Sequence, residues 1–489
     1  MPVPVADSSL LAGGSGGPAA LRPLVTAVLD ALEQGAGDRS GPLPRGGPEA
    51  VAAGLRAAVG EVLPEEGAGP HEALTTVVRA VARGAADPAD PHCAAHLHCP
   101  PLAVAAAADL AASALNPSMD SWDQAPAASE LEALVCAGIA RTVFGNTRGV
   151  QPDALVTTGG TESNQLGLLT ARERLGPALR VVCGENAHHS VHRSAWLLGL
   201  PAPVVVAAPR GVLDPRAVAE ELARPGAPAL LVATAGTTDA GAVDPLPELA
   251  PVAARYGARF HVDAAYGGPL LFSDRLRSRL AGIERAHSVT LDLHKLGWQP
   301  VAAGLFAVPD AADLRVLDHR ADYLNADDDA EAGLPDLLGR SLRTTRRPDV
   351  LKVAVTLRAL GRRGVAELVE RTCAAAGILA GLVREDPALE LRGRPELSTV
   401  LFRPAGAPDR AVADVRRLLL TEGRAVLGRA ALDGRLWWKV TLLNPHVGGG
   451  EMAALLKLVR DAVPQVSVPQ GRTGAAAPPA DAHDGDAQA

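Results

Sequence analysis

A large α/β domain with a mostly parallel sheet, followed by a small α+β domain, is the fold class this sequence predicts. Three observations predict it. From residue 153 onward, short apolar runs alternate with helical segments. Several of those runs end on glycines, hydroxyls or charged residues, which are typical of strand ends that face a cleft. Beyond residue 350 the pattern changes to long helices, then two apolar strand segments separated by a helix.

Taken in order, residues 1–20 are rich in Gly, Ser, Pro and Ala and carry no periodic pattern. LRPLVTAVLDALEQ, AVAAGLRAAVGEVL and HEALTTVVRAVARGAA then read as three helices, of the kind that dock on a main domain or on another subunit. PHCAAHLHCPP (91–101) follows; its H-C-x-x-H-x-H-C order lacks a structural-zinc spacing, so it is expected to be a packed or active-site loop with no metal. A helix over 102–115 stops before Asn116-Pro117. SMDSWDQAP (118–126) places Asp120, Trp122 and Asp123 in a loop, either as a capped helix start or as a wall of a substrate site, and the helix ASELEALVCAGIARTVF comes next.

Seven candidate strands follow, at 154–158, 179–184, 203–208, 229–235, 258–263, 287–293 and 302–308. The seventh comes so soon after the sixth that an antiparallel neighbour is expected there rather than a crossover. Residues 311–349 are polar, acidic and then basic, and long for a structureless connection, which suggests a lid or a loop reaching a neighbouring subunit. A helix from about Pro348, another over 365–382, strand segments at 397–404 and 436–445 and a helix at 410–423 make up the small domain. From Val466 the composition predicts a disordered tail.

The whole-chain properties exclude several classes. A formal net charge of -8 over 489 residues gives no general attraction to nucleic acid or anionic lipid. No apolar run is long enough for a membrane span, and the N-terminus lacks a basic segment followed by an apolar one. Five cysteines, odd in number and without C-x-x-C spacing, indicate neither a disulfide framework nor a zinc ribbon. A cytoplasmic location is the expectation.

The chemistry gathers at strand ends. ARFHVDAAYGG delivers Asp263, and SVTLDLHK delivers His294 and Lys295. A lysine at the end of a buried strand is costly unless it is paired or covalently used. TTGGTESN (157–164) brings Gly160 and Thr161 to a helix N-terminus where backbone amides can approach an anion. AHHSV offers a histidine to stack on a flat ring, and TAGTTDAG places Thr237 and Thr238 just past another strand, with Asp244 further along the loop. An anion cradle, a stacking histidine, an aspartate and a lysine are the parts that pyridoxal 5'-phosphate requires: the lysine carries its aldehyde and the aspartate keeps its ring nitrogen protonated.

On the motifs HVDAAYGG, LDLHK, TTGGTESN, AHHSV and TAGTTDAG, the chain resembles the group II pyridoxal-phosphate-dependent amino acid decarboxylases over roughly residues 85–450. The resemblance implies fold type I, the aspartate aminotransferase-like fold, with a seven-stranded sheet and an obligate homodimer whose active sites lie near the interface. It implies Lys295 as the cofactor lysine, Asp263 as the pyridinium partner, Ala265 and His188 on the two ring faces, Gly160, Thr161 and His294 around the phosphate, and Thr238 near the ring substituents. The domains would be an N-terminal helical segment and active-site loop (1–100), a cofactor-binding domain (101–350), a small C-terminal domain (351–465) and a tail (466–489).

Within the family, PHCAAHLHCPP, NPSMDSWDQAP, DHRADYLN and RTTRRPDVLK are most similar to L-2,4-diaminobutyrate decarboxylases. That implies α-decarboxylation of a basic amino acid, with Asp120, Trp122, Asp123 and Tyr323 as candidate substrate contacts. Two features depart from the family pattern. Pro348 stands where an aromatic residue is common, and 324–345 holds no tyrosine, leaving Tyr323 as the candidate on the mobile loop. The alternatives are decarboxylation of lysine, ornithine, glutamate or an aromatic amino acid and, in another class, transamination or oxidative deamination.

Overall fold

The computed structural model describes residues 11–146, 149–318, 331–335 and 337–467. Three N-terminal helices, α1 (Gly17–Asp38), α2 (Gly47–Val59) and α3 (Pro70–Gly84), form an outlying layer in which α1 packs along α3. A two-residue strand β1 (Cys93–Ala94) precedes helices α4 (Ala103–Leu115) and α5 (Pro126–Phe144). Asn116, just past α4, takes the left-handed conformation (φ 45°) that commonly stops a helix.

The large sheet has the seven expected strands: β2 (Asp153–Thr157), β3 (Arg180–Gly184), β4 (Val204–Val206), β5 (Ala229–Thr234), β6 (Arg259–Ala264), β7 (Ser288–Asp292) and β8 (Gly304–Val308). Their spatial order is β2-β8-β7-β6-β5-β3-β4. Strands β7, β6, β5, β3 and β4 run parallel, while β8 lies antiparallel to both β7 and β2, as its short connection predicts. Between them run α6 (Gly160–Leu175), α7 (Ser190–Leu197), α8 (Pro215–Leu222) and α9 (Leu246–Arg255). Strands β5, β7 and β8 are buried along their whole length, which is why they read as continuous apolar runs rather than as alternating ones.

Because β2 and β3 sit on opposite sides of β5–β8, α6 must cross the sheet to connect them, and it packs over β6, β7 and β8. That crossing is a topological switch point, and a cleft opens beside it at the C-terminal ends of the strands.

Helix α10 spans Val350–Glu385 and is broken at Gly361, whose φ of 61° and ψ of 177° are not helical; the two helices expected here are its two halves. A second, five-stranded sheet follows, built from β9 (Leu389–Leu391), β10 (Thr399–Pro404), β11 (Val426–Leu432) and β12 (Arg435–Thr441), with helices α11 (Asp409–Thr421) and α12 (Gly449–Ser467) on it. Its fifth strand is β1, which pairs parallel with β11 through Cys93 opposite Val426. Residues 93–94, which the sequence assigns to the N-terminal segment 1–100, thus pair with the C-terminal sheet. The expected tail boundary at Val466 also falls inside α12; residues 468–489 lie outside the described ones. Among the described residues, no helix is long and apolar enough to cross a membrane.

Each sheet has its own apolar core. The two units are joined by hydrogen bonds as well as packing. The Tyr266 hydroxyl pairs with Ser398 Oγ (2.7 Å) and Thr399 Oγ1 (3.0 Å), and Trp298 Nε1 donates to the Leu443 carbonyl (2.7 Å).

Gly167 shows how tightly α6 lies on the sheet. A Cβ there would sit 2.6 Å from Cε1 and 2.7 Å from Nδ1 of His261, a ring fixed by hydrogen bonds on both nitrogens. Alanine would gain about 1 kcal/mol in helix propensity, but overpacking costs about 1–3 kcal/mol. Gly167→Ala is expected to be net destabilising, by up to about 2 kcal/mol, in urea unfolding.

Candidate functional site

A cleft of about 420 Å³ lies where β2, β3, β5, β6 and β7 end, a size suited to a small cofactor with its substrate. Its lining includes Gly160, Thr161, His188, Thr238, Asp263, Ala265, His294 and Lys295, so all eight residues expected around a cofactor come together. Leu97 from PHCAAHLHCPP also lines the cleft; nearby, Cys99 Sγ donates to the His294 carbonyl (3.3 Å).

Asp263 is 5% exposed at the end of β6. A carboxylate this buried needs donors. Asn164 Nδ2 donates to Oδ2 at 2.7 Å and the Ala265 amide to Oδ1 at 3.1 Å. The same Asn164 amide group donates to Ser190 Oγ (2.8 Å), and Ser190 Oγ pairs with His188 Nδ1 (2.8 Å). Asn164 Oδ1 accepts from Thr290 Oγ1 (2.7 Å) and pairs with His261 Nε2 (3.0 Å). Since the Asn164 nitrogen is committed to a carboxylate, its oxygen can only accept, and this assigns the His261 hydrogen to Nε2. His261 Nδ1 is then the acceptor for Ser288 Oγ at 2.8 Å.

His188 is half-buried and faces the cleft, whereas His189 is exposed. Burial lowers the His188 pKa, against the opposing charge of Asp263; a neutral imidazole suits stacking on a flat ring. Gly159 has φ 152° and ψ −173° ahead of α6. A Cβ there would meet His294 Cε1 at 2.8 Å, and one on Gly160 would meet the Ala265 Cβ at 2.9 Å and Lys295 Nζ at 3.8 Å. Two glycines thus keep a slot open between a helix N-terminus and a lysine.

Strand β7 ends at Asp292, and Lys295 stands in the turn beyond it. Thr238 is exposed to the cleft, while the buried Thr237 holds its loop by accepting from the Ala242 amide (3.0 Å). Asp244 plays no part in the cleft lining: it accepts from the amides of Thr234 and Leu213 and from Asn186 Nδ2. Burial raises its pKa, and these donors oppose the rise.

Not every candidate comes together. Asp120, Trp122 and Asp123 are absent from the lining of this chain's cleft. Asp120 accepts from Gln124 Nε2 (2.8 Å) and Asp123 from Ser121 Oγ (2.6 Å), side-chain bonds within the loop ahead of α5; neither caps that helix, whose N-cap is Ala125 with no side-chain cap bond. Tyr323 lies outside the described residues.

Three polar groups of the site escaped the sequence reading. Asn164 lies one helical turn after Gly160 in the same motif, and His261 lies two residues before Asp263 on the same strand face. Asp292 lies three residues before the lysine; its Oδ2 is 3.5 Å from Lys295 Nζ and accepts from the Gly160 amide (3.2 Å).

The residues fit pyridoxal phosphate: a lysine amine, a buried carboxylate to face a pyridinium, a glycine-kept slot and a helix N-terminus for the phosphate. The fold and site are those of a fold type I pyridoxal-phosphate enzyme. The family described as the pyridoxal-dependent decarboxylase conserved domain matches residues 56–405, and the chain belongs to that family. L-2,4-diaminobutyrate decarboxylase of Rhizobium meliloti (strain 1021) is 42% identical over 411 residues, covering 80% of this chain and 82% of that protein. The enzyme of the same name from Acinetobacter baumannii is 34% identical over 443 residues, with coverage of 83% and 86%. Among solved structures, the glutamate decarboxylase domain of diaminobutyrate-pyruvate transaminase and L-2,4-diaminobutyrate decarboxylase from Vibrio parahaemolyticus superposes with a TM-score of 0.82 at 32% identity, covering 93% of this chain and 98% of that one. Oryza sativa TDC with PLP and tryptamine shares the fold, with a TM-score of 0.83 at 23% identity over 93% of this chain and 99% of that one. The protein is a pyridoxal-phosphate-dependent carboxy-lyase acting on an amino acid.

Burial of His261 makes stability depend on pH. Burial pushes its pKa down to about 4 from 6.5, with Asp263 opposing. Between those values the unfolded chain binds a proton that the folded chain refuses, so this contribution is present above about pH 6.5 and is lost as pH falls toward 4. From pH 7 to pH 5 the native protein is expected to lose about 2 kcal/mol more than His261→Asn, measured as parallel urea unfolding free energies.

Proposed function

We propose that this chain converts L-2,4-diaminobutyrate to 1,3-diaminopropane and carbon dioxide. The observation that carries the reading is a cleft lined by all eight expected cofactor residues, in a chain 42% identical, over most of both lengths, to a protein named for that substrate. Bound pyridoxal phosphate supplies the electron sink for the pair released at the substrate Cα. Lys295 is the amine that holds the cofactor aldehyde. Asp263, oriented by Asn164 and the Ala265 amide, holds the proton on the ring nitrogen. His188 and Ala265 would pack against the ring, the α6 N-terminus at Gly160 and Thr161 together with His294 would hold the phosphate, and Thr238 would lie near the ring substituents.

The same reading includes a homodimer. An apolar groove of about 860 Å³ runs between α5 and α10, lined by Leu131, Leu134, Val135, Ile139, Phe272 and Leu351, and Leu134 is 69% exposed in the single chain. A surface of this kind suits a second copy. Asp120 and Asp123, the candidate anchors for a distal ammonium, could then serve only the neighbouring copy's cleft.

Three outcomes test the proposal. A substrate panel on cofactor-loaded protein is expected to release carbon dioxide and 1,3-diaminopropane from L-2,4-diaminobutyrate, with little turnover of glutamate; robust glutamate turnover rejects the substrate, and keto acid without carbon dioxide contradicts the reaction. Lys295→Ala is expected to lose the borohydride-reducible cofactor adduct, and Asp263→Ala to keep cofactor but lose at least about a hundredfold in kcat. Mixing inactive Lys295→Ala with Asp120→Asn/Asp123→Asn subunits is expected to restore activity; none, despite demonstrated subunit exchange, means that each cleft is complete in one chain.

A further inference from the structure

The cleft contains a second buried carboxylate that the reaction as described above does not use. Asp292 is 1% exposed at the end of β7. Its Oδ1 accepts from the His294 amide (3.0 Å) and lies 2.9 Å from His294 Nδ1; its Oδ2 accepts from the Gly160 amide (3.2 Å) and lies 3.5 Å from Lys295 Nζ. One carboxylate thus touches the lysine, the histidine beside it and the first residue of the helix that crosses the sheet. Capping the turn through the His294 amide would need only a neutral acceptor. A carboxylate 3.5 Å from an amine, this far from water, does more: it gives whatever nitrogen occupies the Nζ position a fixed partner.

We propose that Asp292 is a positioning residue that fixes Lys295 Nζ toward the slot above Gly160 and keeps the nitrogen linking Lys295 to the cofactor protonated at working pH. The inference rests on Lys295 being the cofactor lysine. With the cofactor bound, Asp292 would hold the proton on that nitrogen and aim it, and the carboxylate itself is neither consumed nor altered, so no added reactant is needed.

The other charged and titratable groups around Nζ come from each element facing it. Asp263 of β6 lines the same cleft but has its oxygens engaged by Asn164 and the Ala265 amide. His188, ahead of α7, carries a pKa lowered by burial. Glu162 of α6 turns away, to the Thr158 amide and Arg343. The Tyr266 hydroxyl is held by Ser398 and Thr399. Asp292 is therefore the carboxylate that approaches Nζ directly among the described residues.

The experiment is a pH titration of the cofactor absorbance in native, Asp292→Asn and Asp292→Glu proteins loaded with pyridoxal phosphate. Borohydride reduction and peptide mapping locate the adduct, and apo-protein melting serves as the folding control. The Asn variant keeps an acceptor for the turn and loses the charge. Its midpoint is expected to fall by about 1–3 pH units, with the adduct still on Lys295 and the melting temperature within a few degrees of native. The Glu variant keeps the charge but displaces it, so its midpoint should fall by less; it carries the test if the Asn variant does not fold. Midpoints unchanged in the folded variants, with the adduct on Lys295, overturn the inference while leaving the proposed function intact. A native adduct on a different lysine overturns both.

Discussion

Everything in the cleft depends on supplying hydrogen-bond donors to one carboxylate out of water. Asp263 sits at the closed end of the site, and the side chain that makes its burial tolerable is Asn164, delivered from a different element. A single carboxamide there satisfies Asp263, Ser190, Thr290 and His261, tying α6 to β6, β7 and the start of α7. Partly satisfied buried polar networks are costly, and fully satisfied ones fix a unique arrangement. The crossing of α6 over the sheet is what brings this side chain within reach, so topology and electrostatics impose the same constraint.

That constraint explains the residues around it. Gly167 has no side chain because His261 occupies the space, and Gly160 has none because the Ala265 Cβ does. Lys295 and Asp292 belong to the same tight turn, so the amine and its counter-charge arrive together. The C-terminal unit closes on this assembly through Tyr266 and Trp298, whose polar tips reach across to the second unit while their rings fill the core.

Much of this was legible in the chain because strand ends are punctuated. Asp263, Lys295 and the two glycines before α6 follow apolar runs whose period is unambiguous, and the short link before β8 announced its antiparallel pairing. Other parts left no such signal. Strand β1 has two residues, too few for any period, and its partner lies in a distant part of the sequence. Asn164 and His261 sit inside motifs whose other members draw attention first, and their roles come from contacts between elements that no local pattern encodes. Asp120 and Asp123 have suitable chemistry for an ammonium, yet in the single chain their oxygens are taken by Gln124 and Ser121.

The pairing of Cys93 with Val426 also bears on how the chain comes to be folded. Strand β11 would otherwise form one margin of the small sheet, with its unpaired amides and carbonyls open to any passing strand. The segment that covers the first two residues of this margin leaves the ribosome more than three hundred residues earlier and must stay available while the large sheet assembles. Closure of the small unit is therefore a late, long-range event in folding. During synthesis, the span in which β11 exists without β1 docked beside it is when the chain is most open to strand exchange with another copy.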